Sequence, residues 1–430
     1  MRATHLYQYP ILVAAVLATA LAGCAHSPSS DAPVAGGSVA SGRYPNLFAE
    51  AGYPQSQIDA RVQAAFQQLF HGDRDEQAVY YEAGSNEQGA LAYIYDVNSA
   101  DVRSEGMSYG MMIAVQLNRK PEFDAIWNWA KTHMYHTKRE HPAFGYFAWS
   151  VKTSGEPNDE MPAPDGEEYF ATALYFAAAR WGNGSGIYDY HAEADRLLTD
   201  ILHRESITGA TQRGEMTAIN LFDAHARMVR FTPDVVNAQH TDASYQLPAF
   251  YEVWARVGPA NDRAFWREAA QVSRDYFQRA ANARTGLTPD YGNFDATPWA
   301  APWRADSKDF RYDAWRTAMN WSVDWSWWQR DPRQVGLSNR LQAFFEAEGL
   351  STYQSLYTLD GQKLGGGQTT GLVAMNATAG LAADHPRRYA FVKALWERPI
   401  PAGRYRYYDG MLYLMAILHC SGQYKVWIAP

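Results

Sequence analysis

The chain has 430 residues, 47% hydrophobic and 20% charged, the balance of a globular protein and not of a disordered or fibrous one. Its net charge of −8 argues against nucleic acid, whose phosphates need a basic surface. Two cysteines, Cys24 and Cys420, exclude a disulfide framework and a thiolate zinc site.

The first predicted element is an address. Arg2 precedes an apolar stretch from Ile11 to Gly23, too short for a bilayer, which needs roughly 20 residues. It reads as a secretory signal over 1–23. Its end, Leu21-Ala22-Gly23-Cys24, resembles the lipobox of bacterial lipoproteins, which implies lipidation of Cys24 and a membrane contact through that anchor only. Residues 24–43 read as a flexible tether of small and polar residues, leaving 44–430 as the folded domain. Ala25 resembles the residue of lipoproteins sorted outward, so the implied location is periplasmic or outer-membrane associated. Cys420 is then a lone, inert thiol.

Beyond Tyr44, apolar residues recur at helical spacing. The predicted helices are 58–70, 105–118, 121–137, 167–182, 189–204, 245–258, 262–283, 312–330, 332–347, 371–383, 385–397 and 408–420. Alternating strand patterns are scarce, apart from short runs such as Ala90–Tyr95 and Tyr146–Val151. Short breakers such as Gly258-Pro259, Asp331-Pro332 and His385-Pro386 make sequential helices antiparallel partners. If 408–420 packs on 58–70, six pairs close into a ring. One member of a pair is blandly apolar, as in 171–179, and the other amphipathic, as in 189–204. The expected fold is all-α, an (α/α)6 barrel with six inner and six outer helices; an irregular helical domain is the alternative.

Inner helices of such a barrel run parallel, so their N-termini share one mouth. Three of them start with carboxylates. Glu105 follows Ser104, a candidate N-cap; Asp165 precedes a helix; Asp313 opens another. Each has an ordinary reading as a cap or a first-turn acid, and Asp165 with Glu168 has the spacing of a capping box. The helix dipole opposes a protonated Glu105, so a general acid there needs desolvation and a second carboxylate nearby. Tyr109 and Met112 fall on the Glu105 face and could supply the wall. Aromatics make up 14% of the chain, with 15 Trp and 28 Tyr, more than a core needs and suited to stacking ligands. Paired carboxylates with many rings point to glycoside hydrolysis.

Three tracts carry a family resemblance: SEGMSYGMM (104–112), APDGEEYFATALYFAAARW (163–181) and YDAWR (312–316). Together they resemble glycoside hydrolase family 8, whose fold is an (α/α)6 barrel. The second tract departs from the pattern with Pro164 and Glu167. YPNLFAEAGY (44–53), GYFAWS (145–150) and DASYQLPAFYEVWA (242–255) are most similar to the family branch of reducing-end xylose-releasing exo-oligoxylanases. The resemblance implies that Glu105 is the general acid, Asp313 the general base of an inverting reaction, and Asp165 a sugar-positioning residue. Tyr312 and Arg316 would flank the base, with Trp149, Tyr245 and Tyr109 as further sugar-side residues. It implies xylo-oligosaccharide as substrate, with no cofactor or metal. An endo-β-1,4-xylanase or endo-β-1,4-glucanase on the same fold, and a non-catalytic oligosaccharide-binding lipoprotein, are the alternatives. Exo action requires a loop that closes the leaving-group side, for which 359–370 is the candidate.

Other patterns have ordinary readings. Gly106 to Gly110 satisfies G-x-S-x-G, but 96–104 looks too strand-poor for a nucleophile elbow at Ser108. His133 and His136 lack a third ligand at zinc spacing. The acidic stretch 156–168 does not match a calcium loop, and 365–371 lacks the lysine of a phosphate loop. Asn376 opens an N-x-T sequon inside a helix.

Overall fold

The protein is described by a computed structural model over residues 36–428; the signal segment and Cys24 lie outside the described residues. Twelve helices build the barrel: α1 (Gln55–His71), α2 (Ser104–Gln116), α3 (Lys120–His133), α4 (Pro164–Trp181), α5 (Tyr190–His203), α6 (Pro248–Val257), α7 (Arg263–Ala280), α8 (Tyr312–Trp328), α9 (Arg333–Ala347), α10 (Thr370–Thr378), α11 (Arg388–Glu397) and α12 (Arg406–Cys420). The even-numbered helices form the inner ring. α2 packs on α4, α4 on α6, α6 on α8, α8 on α10, α10 on α12, and α12 returns to α2. Each inner helix also packs on an outer one, and α12 takes α1, so the ring closes on the first helix. This is the (α/α)6 barrel that the helix pairing predicts.

The residues explain the layers. α4 starts with Pro164 at a position where no N–H is needed and buries every residue from Pro164 to Ala177; its alanines let neighbours approach on all sides. α7 buries Trp266, Ala269, Ala270, Ser273, Phe277 and Ala280, a stripe three and four residues apart that covers the inner layer and leaves the other face in water.

Some boundaries differ from expectation. α6 begins at Pro248 after a 3-10 turn over Ala243–Tyr245, and α10 ends at Thr378 and passes into a second one over Ala379–Leu381. Residues 36–39, expected within the tether, pack on α8. Ser38 is buried and its hydroxyl donates to the Ser326 carbonyl at 2.9 Å. Gly37, at φ 86°, fits because a Cβ there would lie 2.4 Å from the Trp327 carbonyl oxygen.

Strands are more numerous than the sequence patterns suggest, and they build the barrel mouth. β1 (Tyr80–Asn86), β2 (Gly89–Asp96), β3 (Asp101–Arg103), β4 (Ser150–Val151) and β5 (Pro157–Asp159) form one antiparallel sheet in that order. β6 (Ile207–Thr211) and β7 (Gly214–Ala218) form a hairpin, and β8 (His240–Asp242) pairs with β9 (Tyr291–Asn293). These strands are two to eight residues long, too short for a clear alternation.

Candidate active site

Helices α2, α4 and α8 open at one mouth, and two glycines let their ends meet. A Cβ on Gly166 would lie 2.6 Å from the Ser104 hydroxyl oxygen, and one on Gly106 would lie 2.6 Å from the Tyr407 ring. The first contact draws the starts of α2 and α4 together, which brings Glu105 next to Asp165. The second lets Tyr407 of α12 reach in, and its hydroxyl donates to Glu105 Oε1 at 2.9 Å.

The ordinary cap readings do not hold. Arg103 occupies the N-cap position of α2, while Ser104 is its first residue with an unpartnered hydroxyl. Asp165 and Glu168 form no capping box: Glu168 accepts from the Tyr251 hydroxyl at 2.6 Å, and Asp165 accepts from the adjacent Gly166 N–H at 3.0 Å.

Arg316 joins the carboxylates. Its Nη1 lies 2.8 Å from Asp165 Oδ2 and 3.2 Å from Glu105 Oε2, and its Nη2 lies 2.8 Å from Asp313 Oδ1. Nη1 also donates to the Tyr109 hydroxyl, which backs the guanidinium from inside the barrel. The links to Glu105 and Asp313 run through one planar guanidinium, so the two carboxylates are held on a single cation.

Three carboxylates on one cation leave an excess of negative charge. Burial pushes the Glu105 carboxyl up to about 7; Arg316 opposes the shift, while Asp165 and Asp313 add to it. Burial likewise raises Asp165, against Arg316. Glu105 keeps 16% of its side chain open to the cleft and Asp313 22%, whereas Asp165 keeps 3%. A proton-holding carboxyl and a second carboxylate thus face one space across a positioned cation, which is the arrangement of general acid–base chemistry.

That space is a cleft of about 670 Å3, lined by Glu105, Asp165, Asp313 and Arg316 together with Trp149 and Tyr245. Trp149 is placed by the β3–β4 pairing: its carbonyl accepts from the Ser104 N–H at 3.0 Å, and Arg103 lies 5.5 Å from its ring centroid. Phe231, Tyr291 and Trp303 extend the aromatic wall. Trp303 is 56% exposed, an uncovered ring at the rim. On the hairpin side, Arg213 is held 2.7 Å from Asp159, and both line the cleft.

Two expected residues sit elsewhere. Tyr312 is 45% exposed and outside the cleft lining, with its carbonyl accepting from the Tyr408 hydroxyl at 2.9 Å. Tyr109 is buried behind Arg316, a support and not a wall. No residue of 359–370 lines the cleft; Lys363–Gly365 pairs with Leu356–Tyr357, and Thr369 caps α10 by accepting from the Leu372 N–H.

Sequence reasoning missed Tyr407, Asp290, Asp242, Arg304 and Trp303. Asp290 Oδ1 accepts from the N–H groups of Asp313 and Ala314, and its Oδ2 lies 2.7 Å from Arg304. Asp242 is fully buried, and burial with Asp313 and Asp290 nearby holds its carboxyl well above the usual range. The one signal available for Asp242 was its place at the head of the 242–255 tract.

The G-x-S-x-G glycines serve helix packing. A strand does precede them, contrary to expectation, since β3 runs into α2. Ser108 nevertheless lies within α2, buried, with its hydroxyl donating to the Glu105 carbonyl at 3.0 Å. Gly110 meets the Ile94 side chain, where a Cβ would stand 2.7 Å away. His136 stacks on His141 and bonds the Glu160 carbonyl, Asn376 is buried in α10, and Cys420 is buried with its thiol pushed up by desolvation. Among the described residues, no group of three or more His, Cys, Asp or Glu is placed to hold a metal ion.

An (α/α)6 barrel whose mouth presents an acid and a second carboxylate among aromatic rings defines a glycoside hydrolase. The family model for glycosyl hydrolases family 8 matches residues 89–422, and the chain belongs to that family. It is 42% identical to the reducing-end xylose-releasing exo-oligoxylanase Rex8A of Paenibacillus barcinonensis over 91% of this chain and 98% of that protein. A family 8 enzyme of Teredinibacter turnerae, solved with xylobiose, is 63% identical with a TM-score of 0.91, covering 91% of this chain and all of that one. A catalytic mutant of the xylanase from the same organism, in complex with xylohexaose, is 62% identical with the same TM-score and coverage.

Proposed function

We propose that the protein is an inverting glycoside hydrolase of β-1,4-xylo-oligosaccharides that releases xylose from the reducing end. The observation that carries the reading is the Glu105–Arg316–Asp313 arrangement in an aromatic cleft, in a chain 42% identical to Rex8A. Glu105, with its carboxyl near 7, gives its proton to the glycosidic oxygen as the bond to the anomeric carbon breaks. A water attacks that carbon from the opposite face, and Asp313 takes the proton the water loses. Asp165, fixed by Arg316, holds the sugar at the cleavage point and helps its ring distort.

Endo cleavage is the second reading, and a separate observation speaks for it. The 62%-identical relative is a xylanase solved with xylohexaose, and 359–370, the candidate for closing the leaving-group side, does not line the cleft here. Xylohexaose with an isotopic label on its reducing-end sugar separates the two. Labelled xylose and unlabelled xylopentaose as the first products support exo action; xylobiose, xylotriose and xylotetraose as first products overturn it. A protein that binds xylohexaose without cleaving it would be a binding protein instead.

The Leu21–Cys24 lipobox and the signal-like segment before it support an exported lipoprotein, anchored through Cys24 at the periplasmic or outer-membrane side. Retention of the protein in the detergent phase, lost in C24S, tests the anchor.

A further inference from the structure

Helix α8 carries Asp313 one residue inside its start, and nothing local caps it. Arg311 stands at the N-cap position and makes no side-chain cap, where Ser, Thr, Asp or Asn would ordinarily take the first N–H groups. The acceptor comes from 23 residues upstream. Asp290 Oδ1 takes the N–H of Asp313 at 2.9 Å and that of Ala314 at 3.1 Å.

Asp290 is itself fixed on three sides. It is fully buried; its own N–H donates to the Asp309 carbonyl at 2.9 Å; its second oxygen lies 2.7 Å from Arg304 Nη2. Arg304 in turn donates to the Tyr291 hydroxyl at 3.0 Å and lines the cleft. Asp242, on the strand paired with Tyr291–Asn293, is fully buried as well, and the charges of Asp313 and Asp290 help raise its carboxyl. A buried carboxylate set among two others is costly, and an asparagine or serine at position 311 would cap the helix without that cost. A cap alone therefore does not account for an acceptor brought to the helix start from outside the helix.

We propose that Asp290 is a positioning residue for the reaction: it pins the Asp313 backbone while Arg316 pins the Asp313 carboxylate, so that the base meets its water from one fixed direction. The two anchors are independent, since one acts on the main chain and the other on the side chain. This rests on the reading of Asp313 as the base. Misplacement of a catalytic group by about 1 Å costs on the order of 100-fold in rate.

The test compares D290A, D290N and D313N on xylohexaose, with xylobiose binding measured on each. D290A is expected to lose about 100-fold in kcat with KM and xylobiose affinity within about twofold. D290N, whose amide oxygen accepts the same two N–H bonds, is expected to recover at least about tenfold of that loss. The proposal is overturned if D290A keeps wild-type kcat, if its xylobiose binding falls together with kcat, or if D290N is as slow as D290A. D313N separates the two readings: inactive D313N beside fully active D290A refutes positioning alone, whereas active D313N refutes the base assignment and the positioning with it.

Discussion

Two arginines in this barrel are 3% exposed and surrounded by carboxylates, and they do opposite work. Arg274 of α7 sits between Asp324 and Glu252. Its Nε and Nη2 each bond one Asp324 oxygen at 2.8 Å, and the Gln334 amide adds a bond to Asp324 at 2.7 Å. Glu252 takes a second cation, Arg256, and is held below the usual carboxylate range despite its burial. Charge is matched there, and the cluster locks α6, α7 and α8 together. At Arg316, one cation serves three carboxylates, and Glu105 is pushed up to about 7 instead. Surplus acid beside an open cleft is what turns an ion cluster into acid–base machinery; matched charge sealed between helices only holds them in place.

The comparison can be broken from the strong side first. E105Q and D313N should each lose about 10³-fold or more in kcat while still binding xylobiose, because a general acid or base contributes on the order of 10²–10⁴-fold; steady-state rates and calorimetric titration read both. R316A should follow with a loss of about 100-fold in kcat, through a misplaced base and sugar. R274A should do the reverse. It leaves the buried Asp324 carboxylate without a cation and should cost about 3–5 kcal/mol of stability, read as a lower denaturation midpoint, with kcat of the folded protein within about twofold. A large rate loss in R274A would erase the distinction drawn between the clusters.

Smaller effects sharpen it. As the proposed general acid, Glu105 must hold its proton to act, so kcat/KM should fall as pH rises through about 7. Removing a neighbouring negative charge lowers a carboxyl pKa, so D165N should move that limb about one pH unit lower in its residual activity. An unmoved limb would mean that Asp165 does not share the Glu105 field. At the rim, W303A should raise KM for xylohexaose about tenfold, equivalent to about 1.4 kcal/mol, and leave xylobiose affinity nearly unchanged.

The sequence showed the barrel more clearly than the mouth. Helical spacing and Pro/Gly breakers are local signals, and pairing 408–420 with 58–70 was enough to close the ring. The three carboxylate tracts were legible because each starts a helix, and parallel inner helices must share an end. Asp290, Arg304 and Trp303 were not, because they lie in the irregular segment between α7 and α8, where no period ties a residue to a face. Tyr407 was hidden for a different reason: its role depends on Gly106 of the neighbouring helix α2, far away in sequence, a contact no local pattern records. Tyr312, adjacent to Asp313 in sequence, is half-exposed with its ring beside Arg304. The tether reading failed at 36–39 because small residues such as Gly37 and Ser38 suit a close fit against α8 as well as a loose chain.

The central claim is that Glu105 and Asp313 work across a water, so that the configuration of the cleaved sugar inverts. Proton NMR of xylohexaose hydrolysis, followed within the first turnovers before mutarotation, reads this directly. The account predicts that the newly formed reducing end appears first as the α-anomer; the β-anomer appearing first would contradict it.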